Sequence, residues 1–245
     1  MGRRALLAMF VVLLLIGTYG VYVVSYPKYP EVKGCVNPFT VAKPVTRIQE
    51  NWSEVHVFFK LATMKDFWKL SKPWNVDYSH VKIVKHTIEY NGEKITMLAM
   101  GIPLEDKKHV IALYEFSKPV QGVKVRSYLL EVENTVKNSS PAIKTVALTT
   151  NGAYTVTDTC SHECNSGSDC GILARCEYYP CSTDWYCAVH CCITGGNGAC
   201  TIPCAVSGAA GFPEGCIACI VAACPFCVYF CSDTGTTCVF ITPGP

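Results

Sequence analysis

Sixteen of the seventeen cysteines in this chain lie between Cys160 and Cys238, and only Cys35 falls outside that stretch. Cysteine above roughly 8–10 % of a short segment marks a disulfide scaffold. Disulfides persist in oxidising compartments and are rare in ordinary cytosol. The feature therefore argues against a conventional cytosolic enzyme. With a formal net charge of +2 over 245 residues, the chain is also no strongly basic nucleic-acid binder.

Three chemistries compete for the clustered thiols. Disulfides lead, because the number is even and small exported domains use cross-links where the core is too small to hold them. The candidates are Cys160, Cys164, Cys170, Cys176, Cys181, Cys187, Cys191, Cys192, Cys200, Cys204, Cys216, Cys219, Cys224, Cys227, Cys231 and Cys238. Spacing alone does not give their connectivity. Cys160/Cys164, Cys187/Cys191, Cys200/Cys204 and Cys227/Cys231 are each one helical turn apart, which predicts short helices stapled together. The tandem Cys191-Cys192 sends two bridges in different directions. Cys35 is left as an odd thiol: free, buried, or joined to a second chain.

Metal binding is the second chemistry. Cys216-x2-Cys219 and Cys224-x2-Cys227 are separated by four residues, whereas zinc ribbons separate such pairs by about fifteen or more. A bacterial ferredoxin cluster would need a thiolate where Ala222 stands. Redox catalysis is third. Cys224-Pro-Phe-Cys227 resembles the C-P-x-C site of glutaredoxins, but no strand-helix-strand context precedes it. We expect no metal, cofactor or catalytic residue.

Composition divides the chain into residues 1–27, 28–158 and 159–245. Arg3-Arg4 precedes an uncharged apolar run from Ala5 to Val24, long enough to span a hydrocarbon core of about 30 Å. This predicts an N-terminal apolar helix acting as an export signal or a retained anchor, with the rest of the chain outside. Val45, Ile48, Trp52, Val55, Phe59 and Ala62 recur at three- and four-residue steps and predict one helical stripe. From His80 the period becomes two. Asn91-Gly92 and Asn151-Gly152 are favoured hairpin turns, and further strands are predicted at 109–116, 122–133 and 143–150. The expected fold is an α+β middle domain, a helix with an antiparallel five- or six-stranded sheet, followed by a small, mainly helical disulfide-rich domain.

From Cys160 onward there are six acids, one base and no lysine, giving −5; residues 1–159 carry +7. Opposite charge can draw the two halves together. His162 and His190 sit among cysteines, and His56 and His86 fall on predicted elements with no serine or carboxylate partner in view. Asn51-Trp-Ser53 and Asn138-Ser-Ser140 are glycosylation acceptors in an exported chain. Cys216–Cys231 is uncharged, which suits a buried disulfide-core helix or an apolar face offered to a membrane.

The layout of export segment, globular middle and Cys-Gly-Ala-rich tail resembles the precursors of cysteine-rich halocins, the microhalocin type of archaeal bacteriocin. The resemblance lies mainly in residues 160–240, notably Cys200-TIP-Cys204-AVSGAAGF before a dense apolar cysteine run. Arg3-Arg4-Ala-Leu-Leu is in keeping with twin-arginine export of such precursors. The resemblance implies a non-enzymatic precursor, secreted or held at the outer membrane face by residues 5–24. Its tail would be an antimicrobial peptide acting on a competitor's envelope. Its middle domain would bind and neutralise that tail, with processing around Gly152–Thr159. The alternatives are a membrane-anchored surface protein with an interaction tail, and an extracellular thiol–disulfide oxidoreductase using Cys224 and Cys227.

Overall fold

Three two-residue turns, Asn91-Gly92, Gln121-Gly122 and Asn151-Gly152, have both residues at positive φ. That backbone matches the right-handed twist of flanking strands and closes tight hairpins. The turns join β2 (Lys82–Tyr90) to β3 (Glu93–Pro103), β4 (His109–Val120) to β5 (Val123–Glu133), and β6 (Ala142–Thr150) to β7 (Ala153–Val156). The computed structural model describes residues 35–133, 142–157, 160–194 and 214–240. Among them β1 (Lys43–Glu50), β8 (Ala174–Asp184) and β9 (Ser232–Phe240) complete a nine-stranded sheet.

Every pair in the sheet is antiparallel, in the order β1-β2-β3-β4-β5-β6-β8-β9. The outer edge of β6 is shared. Its Ala147–Thr150 end pairs with β7, and its Ala142–Lys144 end pairs with Ser182–Asp184 of β8.

This corrects the expected fold. The tail is not a separate, mainly helical domain: β8 and β9 extend the same sheet, and Val32–Pro245 form one compact unit. The expected N-terminal apolar helix over residues 1–27 lies outside the described residues. Among those residues no helix is long and apolar enough to cross a membrane. The expected processing stretch is also part of the sheet up to Val156, with Ala153 and Thr157 buried.

Helical layers cover both faces. α1 (Pro38–Val41), which precedes β1, packs on one, its Phe39 against Tyr114 and Phe116. On the other lie α2 (Glu54–Ala62) and α3 (Lys65–Leu70). Val57, Leu61, Met64 and Phe67 pack there against Ile83, Met100, Ile102, Ile111 and Leu113. Ser53 starts α2 by accepting the His56 N–H. The predicted helical stripe fails here. Val45 and Ile48 belong to edge strand β1 and are exposed, as are Val55 and Phe59; the buried positions are Val57 and Leu61. An edge strand shows little burial alternation, so its apolar residues mimicked a helical period.

The tail supplies the other cover. α4 (Trp185–Thr194), α5 (Glu214–Ala223) and α6 (Pro225–Phe230) lie there, with α5 packed across β2, β3 and β4. All residues from Cys216 to Ala223 are buried. A helix apolar all round is one enclosed on all sides. It comes down on Gly101 of β3, where a Cβ would stand 1.9 Å from the Ala218 carbonyl oxygen. Tyr114 and Phe116 from β4, Phe39 from α1, and Phe226 and Tyr229 from α6 fill the rim, with Phe39 and Tyr229 stacked 4.4 Å apart.

Candidate functional site

The last carbonyls of any helix lack intrahelical partners. At the end of α5, three adjoining positions are met by side chains from three different strands. Tyr114 of β4 donates to the Val221 carbonyl at 3.1 Å, His86 of β2 to Ala222 at 2.7 Å, and Arg47 of β1 to Ala223 at 2.7 Å. A cation here also complements the negative end of the helix dipole. Arg47 Nη1 lies 3.4 Å from Cys224 Sγ as well. Beside these residues opens a cleft of about 470 Å³, lined by Pro44, Val45, Arg47, His86, Phe226 and Cys227 among others.

His86 is 4 % exposed, and its Nε2 must carry the proton it gives to Ala222. Burial opposes a charged ring and lowers its pKa to about 4; the Ala222 contact opposes that shift, and nearby Arg47 adds to it. The sign follows directly. Between pH 6.5 and 4 the unfolded chain binds a proton at this imidazole that the folded chain refuses. The stability is fully present above pH 6.5 and is lost on acidification toward 4. The loss amounts to about 3 kcal/mol. Asp66, whose pKa burial raises, contributes in the opposite sense. Comparing melting temperature against pH for the wild type and His86→Gln isolates the histidine. The variant is expected to lose this acid slope, and parallel curves would refute the assignment.

The disulfides close around this helix end. Cys187–Cys231, Cys191–Cys227 and Cys192–Cys224 join α4 to the run containing α6 as three rungs of an antiparallel ladder. One-turn spacing on both partners aligns the first two rungs, and the tandem pair adds the third. Cys224 and Cys227 therefore each bridge to α4 and not to each other, which removes the pairing that a C-P-x-C enzyme requires. Cys160–Cys181 and Cys170–Cys238 are further bridges, and Cys216 and Cys219 are also disulfide-bonded. Cys35 and Cys164 both reach Cys176. Cys160 and Cys164 sit in non-helical chain, unlike the predicted helical pair. Cys200 and Cys204 lie outside the described residues, as does Asn138. Asn51 is exposed between β1 and α2, while Ser53 of its triplet is occupied as the helix cap.

The other histidines do not converge. His56 is exposed and stacks on Trp52 at 4.2 Å. His162 and His190 are exposed at separate places. One Ser-His-Asp grouping escaped the sequence reading: Ser79, His80 and Asp77. Ser79 Oγ and Asp77 Oδ2 both meet His80 Nδ1, at 2.9 and 2.7 Å. A proton relay needs the two partners on opposite ring nitrogens, so this is a surface turn, and its hydrogen bonds hold Asp77 below the usual carboxylate range.

The two halves meet at a buried charge cluster. Glu177 of β8 and Arg126 of β5 are fully buried and form an ion pair. Arg175 is a second ion-pair partner of Glu177, and Thr150 of β6 donates to it at 2.8 Å. Burial alone would lower the Arg126 pKa, but Glu177 and Tyr128 hold it above the ordinary value. Tyr128 in turn contacts the Tyr229 hydroxyl of α6. No family model, curated protein or solved structure matches this chain.

Proposed function

We propose that the chain acts as one non-catalytic extracytoplasmic module whose cysteine-rich tail is a permanent half of its fold. Disulfide pairing on this scale is the chemistry of an oxidising compartment. The observation that carries the reading is the enclosure of α5 from Cys216 to Ala223 under β2–β4. Uncovering Ile217, Ile220 and Val221 alone would cost roughly 5–9 kcal/mol, taking about 1.5–3 kcal/mol for each buried aliphatic side chain. That is comparable with the whole stability of a typical domain, about 5–15 kcal/mol. Release of the tail would also strand Arg126 and Glu177 without each other.

A second reading is the bacteriocin-like precursor. It is favoured by the same helix, uncharged from Gly215 to Ala223 and masked by the chain's own middle strands, as a neutralised antimicrobial segment would be. Intact-mass analysis of medium and envelope fractions, with and without reduction, separates the two. The integral-module reading expects a chain uncut between residues 35 and 240. A free fragment beginning near residue 159 that inhibits other cells would replace it with the precursor reading.

A further inference from the structure

Cys35, Cys164 and Cys176 hold their three sulfurs within 4.8 Å of one another. Cys176 is in bonding contact with both of the others. A disulfide sulfur has a single sulfur partner, so the trio contains one bridge and one thiol. The chain has seventeen cysteines, an odd number, and every other described cysteine is bridged elsewhere.

Backbone pairing fixes all three positions. Val36 donates to the Cys176 carbonyl at 2.8 Å and accepts from Tyr178 at 3.2 Å, which lays Cys35 beside β8. Glu163 donates to the Thr236 carbonyl at 3.0 Å, and Thr236 Oγ1 donates to the Cys164 carbonyl at 2.6 Å, which lays Cys164 beside β9. Cys176 and Cys238 face one another across the β8–β9 ladder. The two outer cysteines are therefore presented to one central sulfur from two separately anchored segments. Their exposure differs: Cys164 and Cys176 are buried, whereas Cys35 is only partly so.

We propose that these three residues form a thiol–disulfide exchange site, and that Cys35 is the position at which it reacts with an external disulfide. In the internal step the Cys164 thiolate attacks Cys176 Sγ. The Cys164–Cys176 bond forms, the Cys35–Cys176 bond breaks, and the electron pair leaves on Cys35 Sγ. Cys164 gives up a proton to water and Cys35 is free to take one, so nothing is oxidised or reduced overall. In the external step the Cys35 thiolate attacks a small disulfide RSSR, forming Cys35–S–S–R and releasing RS⁻. One bridge consumes two of the three thiolates that a metal ion would need. The exchange decides whether Cys35 is covalently tied to β8, and it does not depend on whether the tail is ever released.

The test uses the full oxidised chain and 2,2′-dipyridyl disulfide, with thione release followed by absorbance and the adduct placed by peptide mapping. The wild type is expected to release one thione per chain, with the adduct on Cys35 and a Cys164–Cys176 bridge in the same molecules. Cys164→Ser and Cys35→Ser are each expected to release none, because either change leaves a single permanent bridge. Alkylating the wild type after acid quenching keeps the test valid if a variant fails to fold: it should show Cys35-labelled and Cys164-labelled isomers that redistribute at neutral pH. An adduct on another cysteine, wild-type reactivity in Cys164→Ser, a single isomer that never redistributes, or a dimer joined through Cys35 would each overturn the proposal.

Discussion

Replacing Glu177 by Leu is expected to lower the unfolding free energy by about 3–5 kcal/mol, the range for removing one partner of a buried ion pair. The guanidinium of Arg126 is fully buried, and in this variant it would keep only long contacts, at 3.3–3.5 Å, to the Tyr128 hydroxyl and the Tyr178 and Val36 carbonyls. The effect is the penalty of an uncompensated charge, and not the net worth of the pair. The double variant Arg126→Met/Glu177→Leu is therefore expected to regain most of the loss, since apolar residues of similar volume often replace such pairs without harm. Urea denaturation with the disulfides intact measures both. A Glu177→Leu protein within about 1 kcal/mol of wild type would show that the joint between the halves does not depend on this charge.

Gly101→Val is expected to cost as much or more. Overpacked side chains typically cost about 1–3 kcal/mol, because neighbouring rotamers can shift. Here a Cβ would meet backbone: the Ala218 oxygen at 1.9 Å, its carbonyl carbon at 2.5 Å and its Cα at 2.6 Å. Nothing in α5 can rotate away, so the helix must lift from β3 as a unit. Two observations follow. Ala218→Gly should not rescue Gly101→Val, because the obstructing atoms remain. The variant should also bind an environment-sensitive apolar dye wherever it remains folded. A Gly101→Val protein that melts like wild type would mean that α5 does not rest on β3.

The hairpins were legible because they depend on local chemistry. Asn91-Gly92 and Asn151-Gly152 supply the positive φ that a two-residue turn demands, and strands formed on both sides of each. Gln121-Gly122 uses the same backbone with a less familiar first residue, and the strand predicted over 122–133 takes in Gly122 where the structure has the turn. Burial on both faces also leaves a mark in the sequence. The runs Leu98-Ala-Met-Gly-Ile102 and Val110-Ile-Ala-Leu-Tyr114 are apolar without alternation, the pattern of strands covered on each side. They indicated a second covering layer, which the uncharged cysteine run of the tail supplies.

β8 was illegible for the opposite reason. Its Arg-Cys-Glu-Tyr-Tyr-Pro-Cys sequence carries two charges and a proline, and Glu177 and Pro180 are poor strand residues. Glu177 is tolerated because two arginines meet it, and Pro180 because a register shift follows it beyond the short pairing with β6. Neither compensation is local. The charge split between the halves likewise did not locate the buried pair of Arg126 and Glu177 at which they meet.

The ladder between α4 and α6 changes what cutting the chain means. Its three bridges join residues 187–192 to residues 224–231, and every peptide bond between 192 and 224 lies inside the loop they close. That loop includes the glycine-rich sequence after Thr194. A protease that severs it converts one chain into two yet frees neither, because the three rungs and the Cys170–Cys238 bridge all still join the pieces. Under oxidising conditions such damage leaves mass and composition unchanged apart from one added water, and the break becomes visible only on reduction. The tail is thus built to outlast its own backbone continuity, a property suited to service outside the reach of intracellular repair.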